Sequence, residues 1–110
     1  MISFSLTDEQ KELQRLAKEF ALKEIRPQAE EHDRVGKFPM EIAKKAFEIG
    51  LMNLNIPASC NGAELKVLDE VIIAEELSAG CSGISTALSA NHLATAPVIV
   101  AGNDEQKKKY

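Results

Sequence analysis

The stretch that decides the fold runs from Glu76 to Tyr110, ELSAGCSGISTALSANHLATAPVIVAGNDEQKKKY. Its first residues finish an apolar segment that Gly80 closes. A second segment reopens at Ser82, keeps small and apolar residues through Ala101, passes over an internal Pro97 and stops at Gly102. Asn103-Asp104-Glu105-Gln106 then reads as a new helix start, with a side-chain cap, acids in the first turn and a glutamine three residues on to bond back. Lys107 to Tyr110 would be its second turn. An isolated helix below roughly 12–15 residues is marginal in water. We therefore expect this chain to be a piece of a larger protein.

Working outward from that stretch, the rest also carries helical signals. Thr7-Asp8-Glu9-Gln10 is a second capping box, and Leu13, Leu16, Phe20 and Ile25 follow at helical spacing, with Ala17, Ala21 and Ala29 between them. Pro27 should kink this helix or end its regular hydrogen bonding, and the pattern runs out near Glu31 before a turn at Val35-Gly36-Lys37. Pro39 suits the start of a second helix, with Ile42, Ala43, Ala46, Phe47 and Ile49 as its buried stripe and Gly50 as its stop. Residues 51–66 are rich in turn formers, Ile56-Pro57 and Asn61-Gly62 among them. Leu68 to Ala79 reads as a third helix, with Leu68, Val71, Ile72 and Leu77 inward and Glu70, Glu75 and Glu76 outward. No strand, internal repeat or low-complexity segment stands out. The expected fold is all-α: one domain over residues 1–110, a bundle of about five helices with an irregular loop near residues 53–66.

Composition narrows the function classes. The 110 residues are 45% hydrophobic and 27% charged, as in soluble globular chains. A net charge of −4 argues against a nucleic-acid surface, and Lys107 to Lys109 is too short a run to reverse it. Cys60 and Cys81 form no CxxC pair, and His32 and His92 do not join them at metal-ligand spacing, so no metal site is expected. The N-terminus shows neither a basic leader nor an apolar h-region, and Leu93 to Ala101 is too short an apolar run to span a bilayer. These features point to a reduced, intracellular protein.

The usual catalytic sets are missing. Glu75 and Glu76 are neighbours on a helix, so their side chains diverge by roughly a hundred degrees and cannot form a dyad. Neither histidine has a nucleophile at fixed spacing, and no Gly-rich phosphate loop is present. The feature that stands out is the first half of the fourth helix. Thr86, Ser89, Ala90 and Leu93 share one face, with Ser85 beside them. Such a face has two readings. A neighbouring helix can pack close while the hydroxyls bond back to carbonyls a turn earlier, or a ligand can lie along a cavity wall that is apolar with a few polar groups. Leu51, Leu54 and Leu65, on or near the loop, are likewise either core residues or a docking surface.

Several ordered motifs are similar to the amino-terminal domain of the acyl-CoA dehydrogenases. Leu6-Thr7-Asp8-Glu9-Gln10, Ile25-Arg26-Pro27, Gly50-Leu51-Met52, Ile56-Pro57, Ala74-Glu75-Glu76-Leu77, Cys81-Ser82-Gly83 and the closing Ala101 to Tyr110 carry the resemblance. It covers essentially the whole chain and looks closest to the medium-chain and short-chain branch. The resemblance implies a larger α/β/α flavoenzyme that holds FAD and oxidises an acyl-CoA thioester to the trans-2-enoyl-CoA in fatty-acid β-oxidation. A carboxylate takes the α-proton and the β-hydrogen leaves as hydride. The catalytic glutamate and most flavin contacts belong to domains absent from this chain, so no catalytic residue is assigned here.

What the resemblance places here is one wall of the acyl-chain pocket, at Ser85, Thr86, Ser89, Ala90 and Leu93. In the medium-chain pattern bulkier polar residues stand where this chain has Ser85 and Ser89. The resemblance further implies an electron-transferring flavoprotein as partner, docking at Leu13, Leu51, Ala63, Leu65 and Ile73. Ala63 in place of a leucine shrinks that anchor, and Glu64 and Lys66 bring charge to it. A homotetramer is implied for the full-length protein. The expected compartment is a bacterial cytoplasm, with the mitochondrial matrix as the alternative. Two other readings stay open at this point: a free-standing helical binding module without redox chemistry, and a domain of an acyl-CoA oxidase.

Overall fold

A computed structural model describes residues 2–110. Helices α1 (Asp8–Phe20), α2 (Ala29–Val35), α3 (Met40–Glu48), α4 (Val67–Gly80), α5 (Ser82–Ala101) and α6 (Asp104–Lys109) follow in chain order, and no strand occurs among the described residues. The expected all-α architecture is therefore present. A sixth helix arises because the first expected helix is broken in the middle. Between α1 and α2 lie a π-helical segment, Ala21–Ile25, and a 3₁₀ turn, Arg26–Gln28.

Pro27 explains that break. It has no N–H for the Lys23 carbonyl, and its ring would collide with that carbonyl in a regular helix. The backbone widens instead, and the Arg26 N–H reaches the Ala21 carbonyl, a π-type bond. The Gln28 side-chain amide donates to the Glu24 carbonyl at 3.1 Å and compensates another carbonyl at the break. Beyond it α2 continues past the expected end near Glu31 to Val35, where Gly36 adopts φ 68° as a left-handed cap.

Both capping boxes form as read. The Gln10 N–H donates to Thr7 Oγ1 at 3.1 Å and the Thr7 N–H to Gln10 Oε1 at 3.0 Å. At α6 the Asn103 and Gln106 pair closes in the same way, with both bonds at 2.9 Å. The α1 start is also tied sideways, since the Gln10 amide donates to Asp69 Oδ1 on α4 at 2.9 Å.

The core is one cluster built from every long element. Ala17, Phe20, Ala21 and Ile25 come from the first rod, Ile42, Ala43 and Ala46 from α3, Ile73 and Leu77 from α4, and Ile84 and Leu88 from α5, with Leu51 closing it. Gly80 lies where α4 meets the π-segment. A Cβ there would come within 3.1 Å of both Ala21 Cβ and Ile25 Cγ2, so the close approach of the two elements depends on a residue with no side chain.

Several expected inward residues turn out. Phe47 is 64% exposed and Ile49 42%, because α3 buries the narrow face through Ile42, Ala43 and Ala46, and Phe47 lies a further 100° round the helix. On α4, Leu68 and Val71 are more than half exposed, and Ile73 is buried instead. That helix is apolar on more than one side, so spacing alone does not choose the core face. Glu70, expected outward, has a side chain only 18% exposed.

The connection at 51–66 is irregular as expected but not loose. The Leu65 N–H donates to the Leu54 carbonyl and the Glu64 N–H to the Ile56 carbonyl, each at 2.9 Å, folding the loop back on itself around a 3₁₀ turn at Ala58–Cys60. Asn61 takes φ 61°, the left-handed turn conformation that Asn-Gly favours.

Candidate functional site

Helix α5 holds the expected pocket face, and its burial pattern divides it lengthwise. Ile84, Ser85 and Leu88 are buried against the bundle. Thr86, Ser89, Ala90 and Leu93 lie on the opposite, exposed side, with Leu93 76% exposed. The apolar exposure continues along the same side to Val100, at 85%. Four of the five expected lining residues thus form one open, mostly apolar strip, while Ser85 is turned inward.

The hydroxyls on this helix are satisfied internally. Thr86 Oγ1 donates to the Ser82 carbonyl at 2.8 Å and Ser89 Oγ to the Thr86 carbonyl at 3.2 Å. Ser85 Oγ accepts from Ser78 Oγ on α4 at 3.0 Å. The back-bonding that close helix packing would require is therefore present, but no helix covers the Thr86–Leu93 face among the described residues. With its hydroxyl hydrogen committed, Ser89 keeps free lone pairs on a face that is otherwise hydrocarbon, as in a wall beside which an acyl chain lies.

Ser85 and Ser89 also line a cleft of about 50 Å³ between α4, α5 and the Leu51–Leu54 strand of the loop. Ile73, Leu77 and Leu88 give it an apolar lining. Glu70 and His92 face each other across it, with Glu70 Oε2 3.6 Å from His92 Nδ1, and the Asn91 amide donates to Asn53 Oδ1 at its edge. Sequence reasoning passed over the Glu70–His92 contact, because the two residues are far apart in the chain and only the crossing of α4 and α5 brings them together. The signal was a glutamate and a histidine on two helices that share a loop. A groove of about 420 Å³ beside the Gly36–Pro39 turn is larger, but its histidine, His32, is engaged with the Lys37 carbonyl at 2.9 Å.

The five residues expected to dock a partner are not equivalent. Leu51 and Ile73 are in the core, 3% and 1% exposed. Leu13 and Leu65 are half-buried and packed against that core, and Ala63 alone is exposed. Leu54, read with Leu65 as either core or docking surface, is also partly buried against the core.

The bilayer reading from Leu93 to Ala101 alone needs correcting. By length and composition α5 is able to cross a membrane, with 20 residues and a mean hydropathy of 1.3 over its most apolar window. Small hydroxylated residues lower hydropathy little, so counting only the unbroken apolar run understated it. One such helix is weak evidence of a span, and one side of this one is packed into the bundle. Cys60 and Cys81 are free thiols.

With this geometry in place, comparison with known proteins is informative. The sequence matches the family described as acyl-CoA dehydrogenase, N-terminal domain, over residues 7–110. It is 43% identical over 109 residues to a protein of Caenorhabditis briggsae named "Probable medium-chain specific acyl-CoA dehydrogenase 2, mitochondrial", covering 99% of this chain and 27% of that one. It is 39% identical to the acryloyl-CoA reductase (NADH) of Anaerotignum propionicum, with 99% and 28% covered. It is 38% identical to a short-chain specific acyl-CoA dehydrogenase of Clostridium acetobutylicum, with 99% and 29% covered. Among solved structures it superposes on a chain from work on the electron transferring flavoprotein of Acidaminococcus fermentans, with TM-score 0.89 and 33% identity, covering 99% of this chain and 29% of that one. It also superposes on butyryl-CoA dehydrogenase of Megasphaera elsdenii, with TM-score 0.87 and 27% identity, covering 99% and 30%. The chain thus spans under a third of the length of these relatives.

Proposed function

Because the chain belongs to the acyl-CoA dehydrogenases, as their N-terminal domain, we propose that the whole protein is an FAD-dependent α,β-dehydrogenase of acyl-CoA thioesters in fatty-acid β-oxidation, in which this domain is one wall of the acyl-chain pocket. The observation that carries this reading is the open face of α5. Thr86, Ser89, Ala90 and Leu93 present a small, mostly apolar strip with one side of the helix packed and the other bare. An acyl chain laid on it would bury roughly 0.8 kcal/mol per methylene. In the complete protein the other domains would cover the rest of the chain and exclude water.

The described residues include no glycine-rich loop able to cradle a pyrophosphate, so the flavin would be held by segments outside this chain and no chemical step is assigned to residues here. This domain's part is to orient the thioester's tail. An electron-transferring flavoprotein is the proposed redox partner, supported by the resemblance to a chain from such a system. Its contact would rest on Ala63 with the half-buried Leu13 and Leu65, while Leu51 and Ile73 hold that patch from below. A homotetramer and a bacterial cytoplasmic or mitochondrial matrix location complete the proposal.

A second reading has a specific observation behind it. The similarity to an acryloyl-CoA reductase supports a protein working on the same carbon–carbon bond in the reducing direction. The test is anaerobic titration of the purified full-length protein with a series of acyl-CoA thioesters. Flavin bleaching together with enoyl-CoA release is expected. Bleaching by NADH alone, with enoyl-CoA consumed, would transfer the assignment to the reductase, and rapid reoxidation of reduced flavin by oxygen would transfer it to an oxidase.

A further inference from the structure

We propose that His92, held by Glu70, closes the inner end of the acyl pocket and sets the length of straight-chain acyl group that the site accepts. The inference rests on the pocket reading above and goes beyond it by naming the residue that ends the pocket. Ser89 belongs to both surfaces: it stands on the open face of α5 and also lines the cleft behind that face. A chain running along the open face and past Ser89 therefore enters the cleft, whose lining is Leu51, Ile73, Leu77 and Leu88. Its far end meets the imidazole.

His92 is positioned by contacts from two elements. Its Nδ1 faces the Glu70 carboxylate at 3.6 Å, and both side chains are largely withdrawn from solvent, 35% and 18% exposed. The adjacent Asn91 is tied to Asn53, which fixes the loop strand that forms the opposite wall. The small Ser85 and Ser89 leave the passage open, so what limits depth is the histidine beyond them. About 50 Å³ remains in front of it, room for roughly four water-sized groups or the last few carbons of a chain. A ring next to a carboxylate is an unfavourable neighbour for further methylenes, which would have to displace a polar pair without replacing its interactions.

The experiment uses the full-length protein and straight-chain acyl-CoA thioesters of increasing length. Both kcat/KM and the Kd of unreactive thioether analogues are measured, so the length profile is read whether or not turnover occurs. His92→Ala should move the optimum to longer chains, with a gain of about 15-fold for a thioester two methylenes longer than the wild-type optimum. His92→Gln keeps a side chain of similar reach facing Glu70 and should keep the wild-type profile. Ser89→Leu, at an exposed position where folding is not at risk, narrows the passage and should shift the optimum to shorter chains. An unchanged optimum in both His92→Ala and Ser89→Leu would overturn the inference. Binding profiles that shift as expected in a protein without dehydrogenation would uphold it and refute the dehydrogenase reading alone. Loss of all acyl-CoA binding by the wild-type protein would refute both.

Discussion

Replacing Gly62 with alanine should open the loop that walls the cleft. A Cβ at this position would sit 1.9 Å from the Ile56 carbonyl oxygen, 2.3 Å from its carbon and 2.4 Å from Ile56 Cβ. Two of these atoms are backbone, so no rotamer change relieves the clash and the two strands of the loop must separate. Separation breaks the Glu64 N–H bond to Ile56 and, next to it, the Leu65 N–H bond to Leu54. Each contributes about 0.5–1.5 kcal/mol net, and the partial burial of Leu54 and Leu65 weakens with them. Alanine's lower unfolded-state entropy returns less than about 1 kcal/mol. The balance is a loss of about 2 kcal/mol, local to residues 54–66. Hydrogen exchange of the full-length protein reads it directly. The Glu64 and Leu65 amides should exchange about 30-fold faster, while amides in α1 and α4 keep their protection. Unchanged or slower exchange at these two amides would refute the reasoning, since it would mean that the turn accommodates a side chain.

Three further outcomes follow from the same coordinates. Ile73→Ala removes a residue 1% exposed and should cost about 2–5 kcal/mol in chemical denaturation, whereas Val71→Ala, at a position 53% exposed, should stay within about 0.5 kcal/mol. Lys45 has its pKa raised above 10.5 by the hydrogen bond to Glu24 at 2.6 Å and then by that carboxylate's charge. The pair's contribution is therefore complete below 10.5 and fades as pH climbs through the raised value; Glu24→Gln should return the Lys45 titration, followed by NMR, toward 10.5. Leu93→Ala, 76% exposed in this domain, should leave the domain's folding unchanged yet weaken acyl-CoA analogue binding by about tenfold, as measured by calorimetry.

The helix ends were legible because their signals are local. Thr7 with Gln10, Asn103 with Gln106, Gly36 and Pro27 each act on bonds within a few residues, and the structure realises all four. The helix faces were less legible. On α3 and α4 apolar residues occur on more than one side, so Phe47, Leu68 and Val71 read as core until their neighbours are placed. The π-segment was foreseen only as a disturbance, because a proline states that a bond is lost and not how the chain relaxes. At the site, the small face of α5 was visible in spacing, but Ser85 turned to the inner side to meet Ser78. The Glu70–His92 contact was out of reach, since it depends on the crossing of two helices and on no sequence neighbour.

The central claim is that the open face of α5 carries the acyl chain. A crystal structure of the full-length protein with an unreactive acyl-CoA thioether tests it most directly. The account predicts acyl carbons within about 4 Å of Ser89, Ala90 and Leu93, with the chain's end directed at His92. Protein side chains filling that face, with the acyl group bound elsewhere, would contradict it.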